Sequence, residues 1–244
     1  MKERPILFSA PMVRADLEDR KTMTRRVVKP YRKHPIVNLA EAEPTLGYSG
    51  LHNDPDSWGY EFLDDGAPAS LSSWPELCPY GQPGDRLWVR EAWRTLDYLD
   101  EHSGARVAEL CLDAGYRRPL APIEYIVDGE RMNWEHTSTP PHRGQPEPGR
   151  YRHARFMPRW ASRLTLEVTS VRVERLQDIS EADAIAEGLL RDRDGWRGAP
   201  DLPWFASPVA AYRSLWESIN GADSWNANPW VWVVEFKRLE QSHV

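Results

Sequence analysis

Apolar residues are spaced along this chain in short runs with alternating periods, and the runs mark out compact elements separated by long polar stretches. Ile6, Leu7 and Phe8 form a brief apolar run that reads as a buried strand. Pro11 then opens a helix to about Asp19, with Met12, Val13 and Leu17 on one side. Proline suits the first helical turn, where its missing N–H would be unpaired anyway. Asp85 to Glu91 reads as a strand entered through a turn at Gly81, Gln82, Pro83 and Gly84. Residues 106–112 and 122–127 read as a strand pair. From Arg163 to Leu176 apolar and polar positions alternate. The alternation shifts parity at Ser170, passing from Leu164, Leu166 and Val168 to Val171 and Val173, and predicts a bulge or bend there.

Two helices follow. Ser180, Glu181, Ala182 and Asp183 form an N-terminal cap pattern, and Gly188 is placed to stop that helix. Ser207 and Pro208 open the second, with Val209, Tyr212, Trp216 and Ile219 at helical spacing and Gly221 beyond its end. Trp230 to Phe236 is apolar on both faces, as in a central strand. Short strands outnumbering a few helices predict an α+β fold, with a small curved sheet or barrel hiding the strand edges. Both ends carry core-like elements, so the chain reads as one domain over residues 1–244 with insertions at about 31–82 and 94–160. A split near residue 140, beside the Pro- and Gly-rich stretch 138–149, is the alternative.

Composition narrows the class. The chain has 244 residues, 41% hydrophobic and 28% charged, with mean hydropathy −0.65. No apolar run approaches the roughly 18 residues of a membrane helix, and the opening segment lacks signal-peptide form. The two cysteines cannot make a disulfide framework, so a cytoplasmic setting is expected. The seven histidines show no metal-ligand spacing, and neither nucleotide-binding glycine loops nor a GxSxG elbow occur. No metal or cofactor is therefore expected.

Charge changes the picture more. The balance of 31 basic to 37 acidic residues gives −6. Residues 20–33 nevertheless hold seven basic and no acidic side chains, and residues 150–163 hold five arginines and no acid. Removing those 12 from 31 leaves 19 basic against 37 acidic, or −18. Each segment is either a solvated basic face or a local phosphate groove with Tyr31, Tyr151, Phe156 and Trp160 interleaved for stacking. The 12 tryptophans are core-packing residues or a wall for a base, with Trp88, Trp93 and Trp160 the better stacking candidates because arginines stand nearby in sequence. Lys21 and Thr24 stand three apart, a spacing that pairs an amine base with a hydroxyl nucleophile if the stretch is helical and the lysine pKa is lowered. Arg20, Arg25 and Arg26 either supply that lowering or bind phosphate.

Met12 to Arg26, with Lys21, Thr24, Arg25 and Arg26, resembles the opening of the ASCH domain, a helix followed by Gly-x-Lys-x-x-x-x-Arg. Later pieces resemble the rest of that family in order: Pro83 to Val89, Leu166 to Thr169, Ile179 to Gly188 and Trp230 to Phe236. The longer bacterial and phage form is the most similar. Asp19 stands where the pattern has glycine, and the two insertions have no counterpart in small members. The resemblance implies a PUA-like mixed β-barrel with flanking helices and a cleft for RNA or a modified base. Some members hydrolyse the amide of N4-acetylcytidine with a Lys, a Thr and a Glu, which fall here on Lys21, Thr24 and Glu187. Others are non-catalytic RNA-binding modules or ribonucleases. Under the amidohydrolase reading Thr24 attacks the acyl carbon, Lys21 moves the proton, and Glu187 orients Lys21 or activates water. Arg20, Arg25, Arg26, Trp88, Arg90, Glu91, Trp93, Arg155, Arg159 and Trp160 are the candidate substrate-binding residues. The implied partner is a nucleoside or RNA, with no membrane. An ordinary Lys21–Glu187 ion pair is the alternative to catalysis.

Overall fold

A computed structural model describes residues 1–28, 78–134 and 147–240, with the backbone of four two-residue strands between 59 and 73. Tyr31, the rest of the first basic segment beyond Val28, and most of the 31–82 insertion lie outside the described residues.

The chain opens with β1 (Glu3–Leu7), α1 (Ala10–Leu17) and β2 (Met23–Val27). The short strands β3 (Gly59–Tyr60), β4 (Leu63–Asp64), β5 (Ala67–Pro68) and β6 (Ser72–Ser73) pair as β3 with β6 and β4 with β5. Next come β7 (Arg86–Arg90), β8 (Trp93–Arg94), α2 (Gly104–Asp113), β9 (Ile123–Tyr125) and β10 (Arg131–Met132). The chain continues through β11 (Thr165–Arg175), α3 (Glu181–Ala186), β12 (Leu190–Asp192), β13 (Gly195–Arg197), α4 (Pro208–Asn220) and β14 (Trp230–Leu239). The fold is mixed α+β, as the alternation predicts, with several sheets; no closed barrel is found among the described residues.

Two compact units share these elements, each assembled from separated stretches of chain. The first takes Met1–Thr22, Gly84–Glu167 and Lys237–Val244, and the second Met23–Pro83 and Val168–Phe236. In the first unit β1 runs parallel to β7, from Glu3 opposite Arg86 to Leu7 opposite Arg90. The start of β11 is antiparallel to β7. A second sheet has the order β10-β9-β8. Its core gathers Trp93, Ile123, Tyr125, Met157 and Ala161, and Trp160 packs against both this cluster and the one around Leu99 and Val107.

The segment 106–112 is not a strand but the middle of α2. Val107 and Cys111, four residues apart, are its wholly buried pair, which is helical rather than strand periodicity. Ser103 caps the helix by accepting a hydrogen bond from the Arg106 N–H at 3.2 Å. Good helix formers between them (Ala108, Glu109, Leu110) complete the preference. The strand at 122–127 pairs instead with β8 and β10.

In the second unit β14 is antiparallel to β2, from Val231 opposite Val27 to Glu235 opposite Met23. Tyr212, Leu215, Trp216, Trp225, Val231 and Val233 lie in its core. The predicted parity change in β11 is present: Leu166 and Val168 are buried before it and Val173 after it. The strand nevertheless runs unbroken over 11 residues. The change at Ser170 falls two residues past Val168, where the second unit begins. No helix among the described residues is long and apolar enough to cross a membrane.

Candidate functional site

The first motif begins where α1 ends. Pro11 stands in the first turn of that helix, as predicted. Its buried residues are Val13, Ala15 and Asp16, so the inward face carries a carboxylate. The helix closes on the Ala15 carbonyl, which accepts from Arg20 N at 2.8 Å and Lys21 N at 3.0 Å. The turn needs a left-handed residue, and Asp19 supplies it at φ 56°. Aspartate is one of the few non-glycine residues that tolerate this region. Arg238 braces the turn, donating to the Asp16 carbonyl and, at 2.6 Å, to Asp19 Oδ1. Arg20 is committed to Glu18, at 2.7 and 2.5 Å.

This turn delivers Lys21 into the protein at 2% exposure. Its Nζ lies 5.7 Å from the centre of the Phe8 ring. Asp16 is equally buried at 2%, and its Oδ2 has no hydrogen-bond partner among the described residues. Burial pushes the Asp16 carboxyl up to about 6; Arg238 and Lys21 pull it down, while Asp19 and Glu91 push it further up.

Glu91 follows β7 and is also shut away from solvent. Arg163 grips it with two parallel bonds, Nε to Oε1 and Nη2 to Oε2, both 2.8 Å. The same guanidinium reaches Asp128 at 2.8 Å and Glu130 at 2.7 Å, and lies 4.0 Å from the Tyr125 ring centre. Burial raises the Glu91 carboxyl, and Arg163 opposes the rise.

Thr24, Arg25 and Arg26 sit on β2 in the second unit, opposite Val234, Val233 and Trp232 of β14. Thr24 has no solvent exposure, and its hydroxyl has no hydrogen-bond partner among the described residues. Arg25 is a hub. It donates to Glu174 Oε1 from Nε at 2.9 Å and from Nη2 at 2.5 Å, to Asp183 Oδ2 at 2.7 Å, and to Glu187 Oε1 at 3.5 Å. Burial alone would lower the Arg25 pKa, but the carboxylates of Glu187 and Glu174 more than reverse it. Arg172 joins the cluster through Glu174 at 3.3 Å, Asp183 at 2.6 Å, and Glu235.

Glu187 is held at the end of α3, at 3% exposure. Ser180 caps that helix by accepting from the Asp183 N–H at 3.1 Å. Gly188 turns the chain at φ 98°, so Glu187 points back to the cluster. The Tyr212 hydroxyl donates to Glu187 at 3.4 Å. Burial drives that hydroxyl's pKa well above its ordinary value.

The structure thus brings Arg25 to Glu187 in the second unit, with Glu174, Asp183, Arg172 and Tyr212, none of which the sequence marked as a site residue. In the first unit it brings Glu91 to Arg163. Lys21 belongs to the first unit, and Thr24 and Glu187 to the second. One signal was available for the missed acids. Arg172 and Glu174 alternate on β11, and charged residues at a buried-strand period are unusual unless paired.

The stacking candidates take varied positions, all in the first unit. Trp93 is wholly buried and meets Trp160 edge to face at 6.3 Å. Trp160 donates to the Gly104 carbonyl at 3.1 Å. Arg90 lies 4.6 Å from the buried Trp88 ring and donates to the Arg155 carbonyl at 3.3 Å. Of the arginines in the second basic segment, Arg152 donates to the carbonyls of Leu99 and His102, both at 2.7 Å. Arg159 pairs with Glu3 at 3.0 Å. The bonds of Arg152, with Arg163 on Glu91, turn those two charges inward, whereas the Arg159–Glu3 pair lies at the surface. Arg155, Tyr151 and Phe156 face solvent. No group of His, Cys, Asp or Glu able to hold a metal is found among the described residues.

Compared with family models, curated proteins and solved structures, the chain finds no match.

Proposed function

We propose that this is an ASCH-like protein with a PUA-like variant of the α+β fold, acting in the cytoplasm on a modified nucleoside or RNA by hydrolysing the amide of an N4-acylated cytidine. The observation that carries the reading is the Thr24 hydroxyl. It is shut away from solvent and makes no hydrogen bond among the described residues. An unpaired buried hydroxyl costs about 1–3 kcal/mol, so its presence asks for a reason beyond the fold. A nucleophile kept clear of competing partners is such a reason, and Thr24 stands where the ASCH resemblance places one.

In this reading a neutral Lys21 takes the Thr24 hydroxyl proton as Oγ1 attacks the acyl carbon. Lys21 returns the proton to the amine as the C–N bond breaks, and water then cleaves the acyl–Thr24 ester to release the carboxylate. Glu187, fixed by Arg25 and Tyr212, is the acid the family pattern requires. The commitment of Arg152 and Arg163 to partners within the protein favours a small substrate over a long strand gripped through its phosphates. The hydroxyl is closed to solvent, so side chains above it must part for substrate to enter.

The test is incubation of the full chain with N4-acetylcytidine and related acylated nucleosides, following release of the deacylated base. Wild type turns over, and Lys21→Ala and Thr24→Val each lose at least about 100-fold. Thr24→Val keeps the shape and removes only a hydroxyl that bonds to nothing described, so its melting temperature stays at or above wild type. A wild type without turnover, or a Lys21→Ala that matches it, overturns the proposal.

A further inference from the structure

The stretch from Arg150 to Phe156 lies in the first unit, within the insertion at 94–160, and is tied down through its backbone. The Gly149 N–H donates to the Thr95 carbonyl at 2.7 Å, and the Arg150 N–H to the Asp100 carboxylate at 2.9 and 3.0 Å. Arg152 and Trp93 exchange N–H to carbonyl bonds at 2.8 and 3.1 Å. The Arg155 N–H donates to His153 Nδ1 at 3.2 Å, and the Arg155 carbonyl accepts from Arg90 Nη1 at 3.3 Å. An extended chain alternates its side chains. With the Arg152 guanidinium bound inward to two carbonyls, Tyr151 and His153 face out.

The outward side of this fixed stretch is rich in rings and unspent donors. Tyr151 is 59% and Phe156 65% exposed, although rings of this size are mostly buried. Arg150 and Arg155 are exposed, and their guanidiniums make no hydrogen bond or ion pair among the described residues. The Arg155 guanidinium lies 5.6 Å from the Phe156 ring centre. No acid occurs from 150 to 163. Asp100 is taken up by the Arg150 N–H, and Glu3 by Arg159. A purely apolar partner would strand these arginines, and a bare anion would leave the rings unused. A phosphate ester carrying a planar ring uses both, since guanidinium donors match phosphate oxygens and a base stacks on an aromatic side chain.

We propose that the outward face of residues 150–156, with Arg90 at its edge, is a nucleotide-binding surface. The phosphate is held by the free arginine donors, and the base lies on an exposed ring. The inference does not rest on the proposed function, because Lys21, Thr24 and Glu187 take no part in it. Arg90 lies against the Trp88 ring, on the face of β7 opposite Leu87 and Val89. The nucleotide is either free or the phosphorylated end of a strand, and the two share the same chemistry.

The experiment is an NMR titration of the ¹⁵N-labelled full chain, read at the arginine side-chain N–H signals. The probes are adenosine 5′-monophosphate, adenosine and inorganic phosphate, none of which carries an acylated amine. The monophosphate binds at least about 10-fold more tightly than either of the other two. Arg155→Gln weakens it about 10-fold, and Phe156→Ala about 5-fold or more. Both side chains are exposed, so neither change disturbs the fold. Arg117→Gln, at an exposed arginine beyond α2, leaves the affinity unchanged. A 5′-phosphorylated trinucleotide separates the two sources: tighter binding than the monophosphate assigns the surface to a strand end, and equal or weaker binding to the free nucleotide. No binding of the monophosphate, or binding that survives both Arg155→Gln and Phe156→Ala, overturns the inference. So does inorganic phosphate that matches the monophosphate, or an Arg117→Gln loss equal to that of Arg155→Gln.

Discussion

The two units bury charge in opposite ways. In the second, Arg25 and Arg172 are each shared among carboxylates: Glu174 and Asp183 bond to both, Glu187 to Arg25 and Tyr212, and Glu235 to Arg172. In the first, Glu91 is as well served by Arg163, but Asp16 is buried with an oxygen that no donor reaches among the described residues. A saturated network rigidifies and holds a geometry. An unsaturated buried carboxylate is unfavourable for folding and points to a second role. The contrast separates two kinds of buried charge: the Arg25 hub holds Glu187, whereas the Asp16 carboxyl, raised to about 6 by burial, is able to change charge.

The largest effect expected from this contrast is at the hub. Arg25→Met should cost about 3–5 kcal/mol, as breaking a buried ion pair and stranding its partner usually does. Glu187 would keep Tyr212 but lose the cation at 3.5 Å. Arg25→Lys should recover only part of the loss, because a compact ammonium lacks the planar fork that gives Glu174 two bonds while also reaching Asp183 and Glu187. Urea unfolding at neutral pH measures both. A loss below about 1 kcal/mol for Arg25→Met would mean that the network is not a scaffold.

Asp16 should behave in the opposite sense. Its carboxyl lies at about 6 in the folded chain against an ordinary 3.8. A raised carboxyl favours folding only while it is protonated. That contribution is whole below pH 3.8 and is lost as pH rises through 6. The stability of Asp16→Asn relative to wild type should therefore improve by up to about 3 kcal/mol between about pH 3.5 and pH 7, because each pH unit separating the two values is worth about 1.4 kcal/mol. Any fixed cost of burying the amide cancels in that difference. A relative stability that does not change with pH would show that Asp16 is not held above its ordinary range.

These two regions differ as sharply in how far sequence reveals them. The capped and stopped α3, the proline-opened α1 and α4, and the apolar β14 follow from local signals that need no tertiary information. Residues 106–112 mislead, because Ala108, Leu110 and Leu112 stand at every second position although Val107 and Cys111 are the residues buried. The hub is opaque for a different reason: Arg25 finds its carboxylates 149, 158 and 162 residues away. No local pattern encodes such partners. Asp16 is hidden more simply. A lone aspartate on a short helix reads as solvated, and the apolar stripe of Met12, Val13 and Leu17 points to a face slightly different from the buried one of Val13, Ala15 and Asp16. Lys21 and Thr24 stand out in sequence by their three-residue spacing, but the burial that gives each its chemical interest does not.

The smallest effect concerns the turn that carries Lys21 from α1 into the first unit. Asp19 holds φ 56° and offers its carboxylate to Arg238 at 2.6 Å. Asp19→Gly removes the backbone strain and the pairing together. The backbone contribution favours glycine and the partly exposed ion pair is worth only about 0–1 kcal/mol, so the net change in stability should fall within about 0.5 kcal/mol of zero. Asp19→Val keeps a Cβ, adds a branched side chain that resists the left-handed region, and loses the pairing; it should cost about 1–2 kcal/mol. Thermal melts of the two variants against wild type decide between backbone and charge as the reason for Asp19. Equal losses would put the weight on the Arg238 contact. A valine penalty without a glycine penalty would mean that the turn asks only for a residue able to turn left, and that aspartate is present there on conformational grounds.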